Sequence, residues 1–197
     1  MTNAMIHIRN LTLAGLVVVA CSAGARAQAP ADGAGEQPHE AYREVGSARD
    51  WVAIQGPDMD GSTRICALYS RPKQSDVTYE GDAADLTRGE LAAFINWNDA
   101  PVATDDGEIS FLMGETVAQG ASDRHELIID GATSLDLVGV ADRLFVKPAD
   151  DATAIAAVRR GAQMVVSGEM ESGHTARDVY SLMGVQASTA LARQGCE

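Results

Sequence analysis

From Trp51 to Cys196 the chain is written in short apolar runs separated by turn-forming residues, and most runs alternate with the two-residue period of a half-buried strand. Trp51 to Ile54 is the first, and Thr63 to Tyr69 the second, where Ile65, Ala67 and Tyr69 alternate with Cys66 and Leu68. Glu90 to Trp97 sets Leu91, Ala93, Ile95 and Trp97 on one face and Ala92, Phe94 and Asn96 on the other. Ile109, Phe111 and Met113 alternate after the turn residues Asp105-Asp106-Gly107. Glu126 to Asp130, Leu135 to Val138, Leu144 to Lys147, Gln163 to Ser167 and Asp178 to Met183 complete the predicted strands. Two segments carry a helical pattern instead. Asp150 is placed to cap a helix over Asp151 to Arg160, with Arg159 and Arg160 in the last turn and Gly161 expected in the left-handed position that ends it. Val185 to Gln194 is Ala-rich, buries Ala187, Ala190 and Leu191, and stops at Gly195. Short strands at this spacing predict an all-β fold, an immunoglobulin-like antiparallel β-sandwich with two short helices.

The first part of the chain has a different pattern. Met1 to Asn10 carries Arg9 and no acid, Leu11 to Cys21 is apolar, and Ala25-Arg26-Ala27 supplies the small residues a signal peptidase reads. This predicts a signal peptide over residues 1–27, cut before Gln28. The apolar run is half the roughly 20 residues of a membrane span, so the mature chain is expected not to be transmembrane. Val18-Val19-Ala20-Cys21 also fits a lipoprotein pattern, in which Cys21 would be lipidated and the protein anchored. Gln28 to Arg49 has no apolar period and reads as a tether. Residues 50–197 then form one domain of ordinary size.

Charge narrows the partners. The full sequence has a formal charge of −13, and removal of residues 1–27 takes away Arg9 and Arg26 and no acid, leaving −15. Such a surface repels phosphate backbones and anionic lipid, which excludes nucleic acid as the expected partner. Cationic partners and divalent ions stay open, and so does plain solubility. After removal of the signal, Cys66 and Cys196 are the two cysteines left, and export leads to an oxidising compartment. A disulfide between Cys66 and Cys196 is therefore expected, pinning the last helix to an early strand.

Asp50-Trp51-Val52, Arg64-Ile65-Cys66, Val158-Arg159-Arg160-Gly161 and the stretch from Asp178 through Tyr180-Ser181-Leu182-Met183-Gly184 to Cys196 stand in the order found in the invasion-associated locus B family, which the chain resembles over Trp51 to Cys196. Many members carry a cysteine a few residues after the tryptophan, where this chain has Ile54-Gln55-Gly56. The resemblance implies an exported protein with an immunoglobulin-like sandwich, from a family named for a role in host-cell entry. It supplies no catalytic site.

Candidate chemistry is sparse. Of the histidines beyond the signal, His39 lies in the tether, leaving His125 and His174. Ser172, His174 and Asp178 offer a nucleophile, base and acid within seven residues. No Gly-x-Ser-x-Gly elbow surrounds that serine, and a polar hairpin loop explains the same residues, so their replacement by alanine is expected to leave the fold intact. Asp58-Met59-Asp60-Gly61-Ser62 lacks the third acid and distal glutamate of a calcium loop and reads as a turn. Asp123, His125 and Glu126 lie along one strand and cannot enclose a zinc ion unaided. No pattern asks for a metal or a cofactor. The expected function is that of an exported, non-catalytic binding or accessory protein of the periplasm or cell surface, with an envelope or host protein as partner. The alternative is a small periplasmic hydrolase using Ser172, His174 and Asp178.

Overall fold

The computed structural model describes residues 42–57, 64–98, 102 and 107–196. The turn expected at residues 58–62, the signal and most of the tether, including His39, fall outside them.

Twelve strands and two helices follow in chain order: β1 (Arg43–Ala48), β2 (Trp51–Pro57), β3 (Arg64–Ser70), β4 (Gln74–Tyr79), β5 (Asp82–Ala83), β6 (Ala92–Asn98), β7 (Glu108–Leu112), β8 (Gly120–Ile129), β9 (Thr133–Val140), β10 (Arg143–Val146), α1 (Asp151–Arg160), β11 (Gln163–Glu169), β12 (His174–Ser181) and α2 (Val185–Cys196). Every pairing is antiparallel. The strands form one open sheet in the order β1-β2-β3-β6-β7-β10-β9-β8-β11-β12-β4-β5. The all-β antiparallel architecture with two helices is thus present, with one continuous hydrogen-bonded sheet in place of two separate ones. That sheet folds back on itself. Phe111 of β7 and Tyr180 of β12, five positions apart in the sheet, have ring centroids 6.0 Å apart. The indole of Trp51 on β2 donates to the carbonyl of Ser181 on β12 at 2.8 Å.

The alternation read from the sequence decides which face turns inward. Trp51, Leu68, Ile95, Phe111, Leu144, Leu127, Val166 and Tyr180 are buried and join one core cluster. Both helices lie on this inner side. Ser188 of α2 donates through Oγ to the Trp51 carbonyl at 2.8 Å, and Ile155 and Val158 of α1 enter the same cluster.

Several local expectations are corrected. The tether expected to run to Arg49 becomes strand β1 from Arg43, paired to β2 with a register shift between Glu44 and Gly46. It lacks an apolar period because α2 holds it in place. A Cβ on Gly46 would lie 3.1 Å from Leu191 Cδ1, and one on Gly195 would collide with Val45. Gly195 therefore sits inside α2, which continues to Cys196. Gly161 has φ −77°, an extended conformation rather than the left-handed cap, and Asp150 makes no side-chain cap hydrogen bond. Gly161 is small for a different reason: a Cβ there would lie 2.8 Å from Leu182 Cδ1 and 3.0 Å from Asp130 Oδ2. Asp130 receives the backbone N–H groups of Ala162 and Gln163 at 3.0–3.1 Å and so closes the α1–β11 junction from a neighbouring hairpin.

Candidate functional site

The hairpin joining β11 to β12 turns at Met170–Gly173, where Gly173 has φ 82° and its N–H reaches the Met170 carbonyl at 3.0 Å. The turn sets exposed Ser172 beside His174, the first residue of β12, with Oγ 3.1 Å from Nδ1. The Tyr79 ring of β4 packs on the imidazole at 5.0 Å between centroids. Two of the three suggested residues are therefore together. The third is elsewhere: four residues along a strand place Asp178 about 13 Å from His174. Asp178 is also not a loop residue. It is completely buried on the inner face of β12, and its carboxylate is held by Arg88, which donates from Nη1 to Oδ2 at 3.0 Å and from Nη2 to Oδ1. A carboxylate engaged in this way does not orient an imidazole.

Arg88 carries no periodicity that would reveal it in the sequence. It lies in the crossover of residues 84–91 between β5 and β6, and its side chain is 3% exposed. Its remaining donors reach the Met113 carbonyl at 3.2 Å and Ser75 Oγ. The crossover comes close enough because two glycines meet. Gly89 N–H donates to the Gly114 carbonyl at 2.8 Å, and a Cβ on Gly114, which has φ 69°, would lie 2.7 Å from the Gly89 nitrogen. Beside this cluster the Tyr180 hydroxyl is buried and has no hydrogen-bond partner. Burial first, then the nearby Asp178 carboxylate, raises its pKa far above the ordinary phenol range, so it is a neutral hydroxyl.

His125 is the other histidine of the described region, and it too faces inward, fully buried. Its Nδ1 accepts the Glu169 N–H at 3.3 Å, which makes Nε2 the donor to the Ala118 carbonyl at 2.7 Å. Both ring nitrogens are used, and Glu126 projects from the opposite face, where it accepts from Ser134 Oγ at 2.6 Å. Among the described residues no group of three or more His, Cys, Asp or Glu is placed to hold a metal ion. Asp151, at the start of α1, has a carboxyl pushed up to about 6, by burial first and the Glu108 charge second, against a backbone hydrogen bond from Ile109.

Cys66 of β3 and Cys196 of α2 are joined by a disulfide with Cα atoms 6.2 Å apart and a sequence separation of 130. A disulfide suits an oxidising, extracytoplasmic location. Among the described residues no helix is long and apolar enough to cross a membrane.

The outer sheet face falls into two halves of different character. From β9 through β12 to β4 it is ion-paired: Arg124–Glu169 at 2.6 Å, Lys147–Asp136 at 2.9 Å and Arg177–Asp76 at 4.0 Å. From β2 to β9 one cross-strand row, Val52–Tyr69–Phe94–Ser110–Phe145–Val138, is aromatic or aliphatic except for the fully buried Ser110. Alternation within each strand could have shown this, since Tyr69, Phe94 and Phe145 are apolar residues on the side opposite the core residues.

Comparison of the chain with family models, curated proteins and solved structures gives no match.

Proposed function

We propose that this is an exported, non-catalytic binding or accessory protein of the bacterial envelope, with a sandwich-like arrangement of the immunoglobulin kind and a kinship to the invasion-associated locus B proteins. The observation that supports the non-catalytic reading is the burial of Asp178 against Arg88, which takes the suggested acid away from the Ser172–His174 contact. The disulfide supports export, and the apolar half of the outer face supports binding. The partner on this reading is an envelope or host protein, reached from the periplasm or the cell surface.

The 3.1 Å contact between Ser172 and His174 favours a second reading, a small hydrolase. Hydrolysis of an activated ester such as p-nitrophenyl acetate by the wild-type protein, Ser172→Ala and His174→Ala separates the two. Equal background rates are expected for all three. Loss of a measurable wild-type rate in either variant would establish the hydrolase. Export is tested by the intact mass of the mature protein after osmotic shock, expected to start at Gln28; a lipid-modified Cys21 at the N-terminus would replace the cleaved form by the anchored one.

A further inference from the structure

The segment Thr116–Ala118 lies antiparallel to Glu169–Glu171, at the turn of the β11–β12 hairpin. Val117 and Met170 are bridge partners, Ala118 N–H donates to the Glu169 carbonyl at 2.9 Å, and Glu171 N–H donates to the Thr116 carbonyl at 2.9 Å. An antiparallel pair ordinarily returns the first of these bonds directly, from Glu169 N–H to the Ala118 carbonyl. Here the return runs through the ring of His125, which accepts from Glu169 N–H at Nδ1 (3.3 Å) and donates from Nε2 to the Ala118 carbonyl (2.7 Å). The imidazole is one link of a backbone ladder.

Room for the ring comes from the register shift in β8 between Ala121 and Glu126 and from two glycines on the flanking strands. A Cβ on Gly139 of β9 would lie 3.1 Å from Nε2, and one on Gly168 of β11 would lie 3.7 Å from Nδ1. Around these glycines the other near side chains are apolar: Val117, Leu144 of β10 and Met113. Among the described residues no carboxylate pairs with the ring. Glu169 of β11 is held by Arg124 of β8 at 2.6 Å, Asp136 of β9 by Lys147 at 2.9 Å, Glu126 by Ser134, and Asp178 by Arg88, while Glu115, the acid of the segment itself, forms no ion pair with it. The Arg143 guanidinium of β10 lies over Phe94 on the outer face.

An imidazolium carries N–H donors on both nitrogens. Proton uptake at Nδ1 therefore sets a donor against the Glu169 N–H, removes that bond, and leaves a charge in a buried site with no counter-ion. We propose that His125 is an acid-operated latch, whose protonation breaks the link to Glu169 and releases Thr116–Ala118 from the hairpin that carries Ser172 and His174. The segment keeps its attachment on the other side, where Val117 N–H donates to the Ala141 carbonyl at 2.9 Å and Gln119 Oε1 accepts from Ala141 N–H at 3.0 Å. It swings on the β9–β10 turn. Imidazole is the side chain that in ordinary surroundings changes charge between about pH 5 and 8, a range that an exported protein meets outside the cytoplasm. The inference goes beyond the binding function proposed above and does not depend on it.

Amide hydrogen exchange, followed residue by residue by NMR on the intact protein from about pH 7.5 to about pH 5 and corrected for the intrinsic effect of pH, tests the latch. The ring shifts of His125 in the same samples report its protonation. Protection of the Ala118, Glu169 and Glu171 amides is expected to fall at least about tenfold in step with that protonation, while Val165 in the middle of β11 and Val117 keep theirs. His125→Gln has a donor and an acceptor but no ionisable group, and it retains His174. It is expected to show no such fall; if it fails to fold, the wild-type comparison decides alone. The proposal is overturned by a ring that stays neutral throughout, or by three amides that remain protected as the ring protonates. Loss of Val165 protection together with theirs would be global unfolding and overturns it too, as does a fall that survives unchanged in His125→Gln.

Discussion

Arg88 holds Asp178 across 90 residues of sequence in a two-bonded ion pair whose side chains are 3% and 0% exposed. The pair ties the crossover of residues 84–91 to β12, and through the Met113 carbonyl to the end of β7. It therefore fastens together two parts of the open sheet that share no strand pairing.

Replacement of Asp178 by alanine leaves a guanidinium buried without its counter-ion, the case in which breaking an ion pair costs about 3 to 5 kcal/mol. Urea unfolding of Asp178→Ala is expected to show a loss of that order, whereas Ser172→Ala and His174→Ala stay within about 0.5 kcal/mol of wild type. Arg88→Met combined with Asp178→Leu is expected to recover most of the loss, because an apolar pair removes both desolvation penalties. If Asp178→Ala matches the two hairpin variants, the buried pair contributes nothing to stability.

Tyr180 presents the opposite case. Its hydroxyl is buried with no partner, so the native state bears the desolvation penalty of a polar group without a compensating bond. Tyr180→Phe keeps the ring against Phe111 and deletes the orphan oxygen. We expect a change between neutral and about 1 kcal/mol of stabilisation. A loss of 1 kcal/mol or more on chemical denaturation would reveal a bond made by that hydroxyl, such as one to a buried water.

How far the sequence discloses this fold depends on whether an element is specified by its own residues. The runs at Trp51, Thr63, Glu90 and Ile109 alternate because one face meets the core, and each forms a strand that starts within two residues of the expected position. Helix α1 has the expected bounds, Asp151–Arg160, although neither expected cap geometry forms. The elements without a local signature are those placed by distant contacts. Strand β4, Gln-Ser-Asp-Val-Thr-Tyr, is mostly polar and owes its position to six register pairs with β12. Strand β1 depends on α2, and Arg88 on a carboxylate far along the chain. The start of β12 is hidden for a related reason: the strand begins at His174, four residues earlier than its apolar pattern indicates, because His174, Thr175 and Arg177 are polar strand residues. Ser172 and His174 meet because they stand two residues apart across one hairpin turn, a separation at which sequence alone is informative.

The Cys66–Cys196 bond closes a loop of 130 residues, for which chain entropy sets an upper stabilisation of about 4 to 5 kcal/mol. The helix it secures has other attachments: the Ser188–Trp51 hydrogen bond, Arg193 Nε donating to the Val102 carbonyl at 2.7 Å, and the burial of Val185 and Ala192. Cys66→Ala/Cys196→Ala is therefore expected to lose about 2 to 4 kcal/mol while still folding with α2 docked. Amide hydrogen exchange reads both parts, and full exchange of α2 under native conditions would show that the disulfide alone holds the helix in place.

Asp151 sets a pH dependence whose sign follows from its environment. Burial, the Glu108 carboxylate and Asp150 lift its pKa from 3.8 to about 6 in the folded protein, so over that interval the native state binds a proton the unfolded chain has already released. Stability falls with pH wherever the native state holds the extra proton. The contribution of Asp151 is thus fully favourable below about pH 4, declines as pH rises towards 6, and above that leaves a carboxylate with one buried, unbonded oxygen beside two other acids. The first-turn position on α1 works the other way, since a helix N-terminus attracts negative charge, but it is not enough to restore the ordinary value. Asp151→Asn removes the ionisation and keeps the shape. Its melting temperature, compared with that of wild type across pH 3.5 to 8, is expected to gain on wild type between about pH 4 and 6 and to hold that gain at higher pH. A difference that is flat across the range would show that the carboxyl titrates alike in both states, and one of opposite slope would mean that the helix terminus outweighs burial and Glu108.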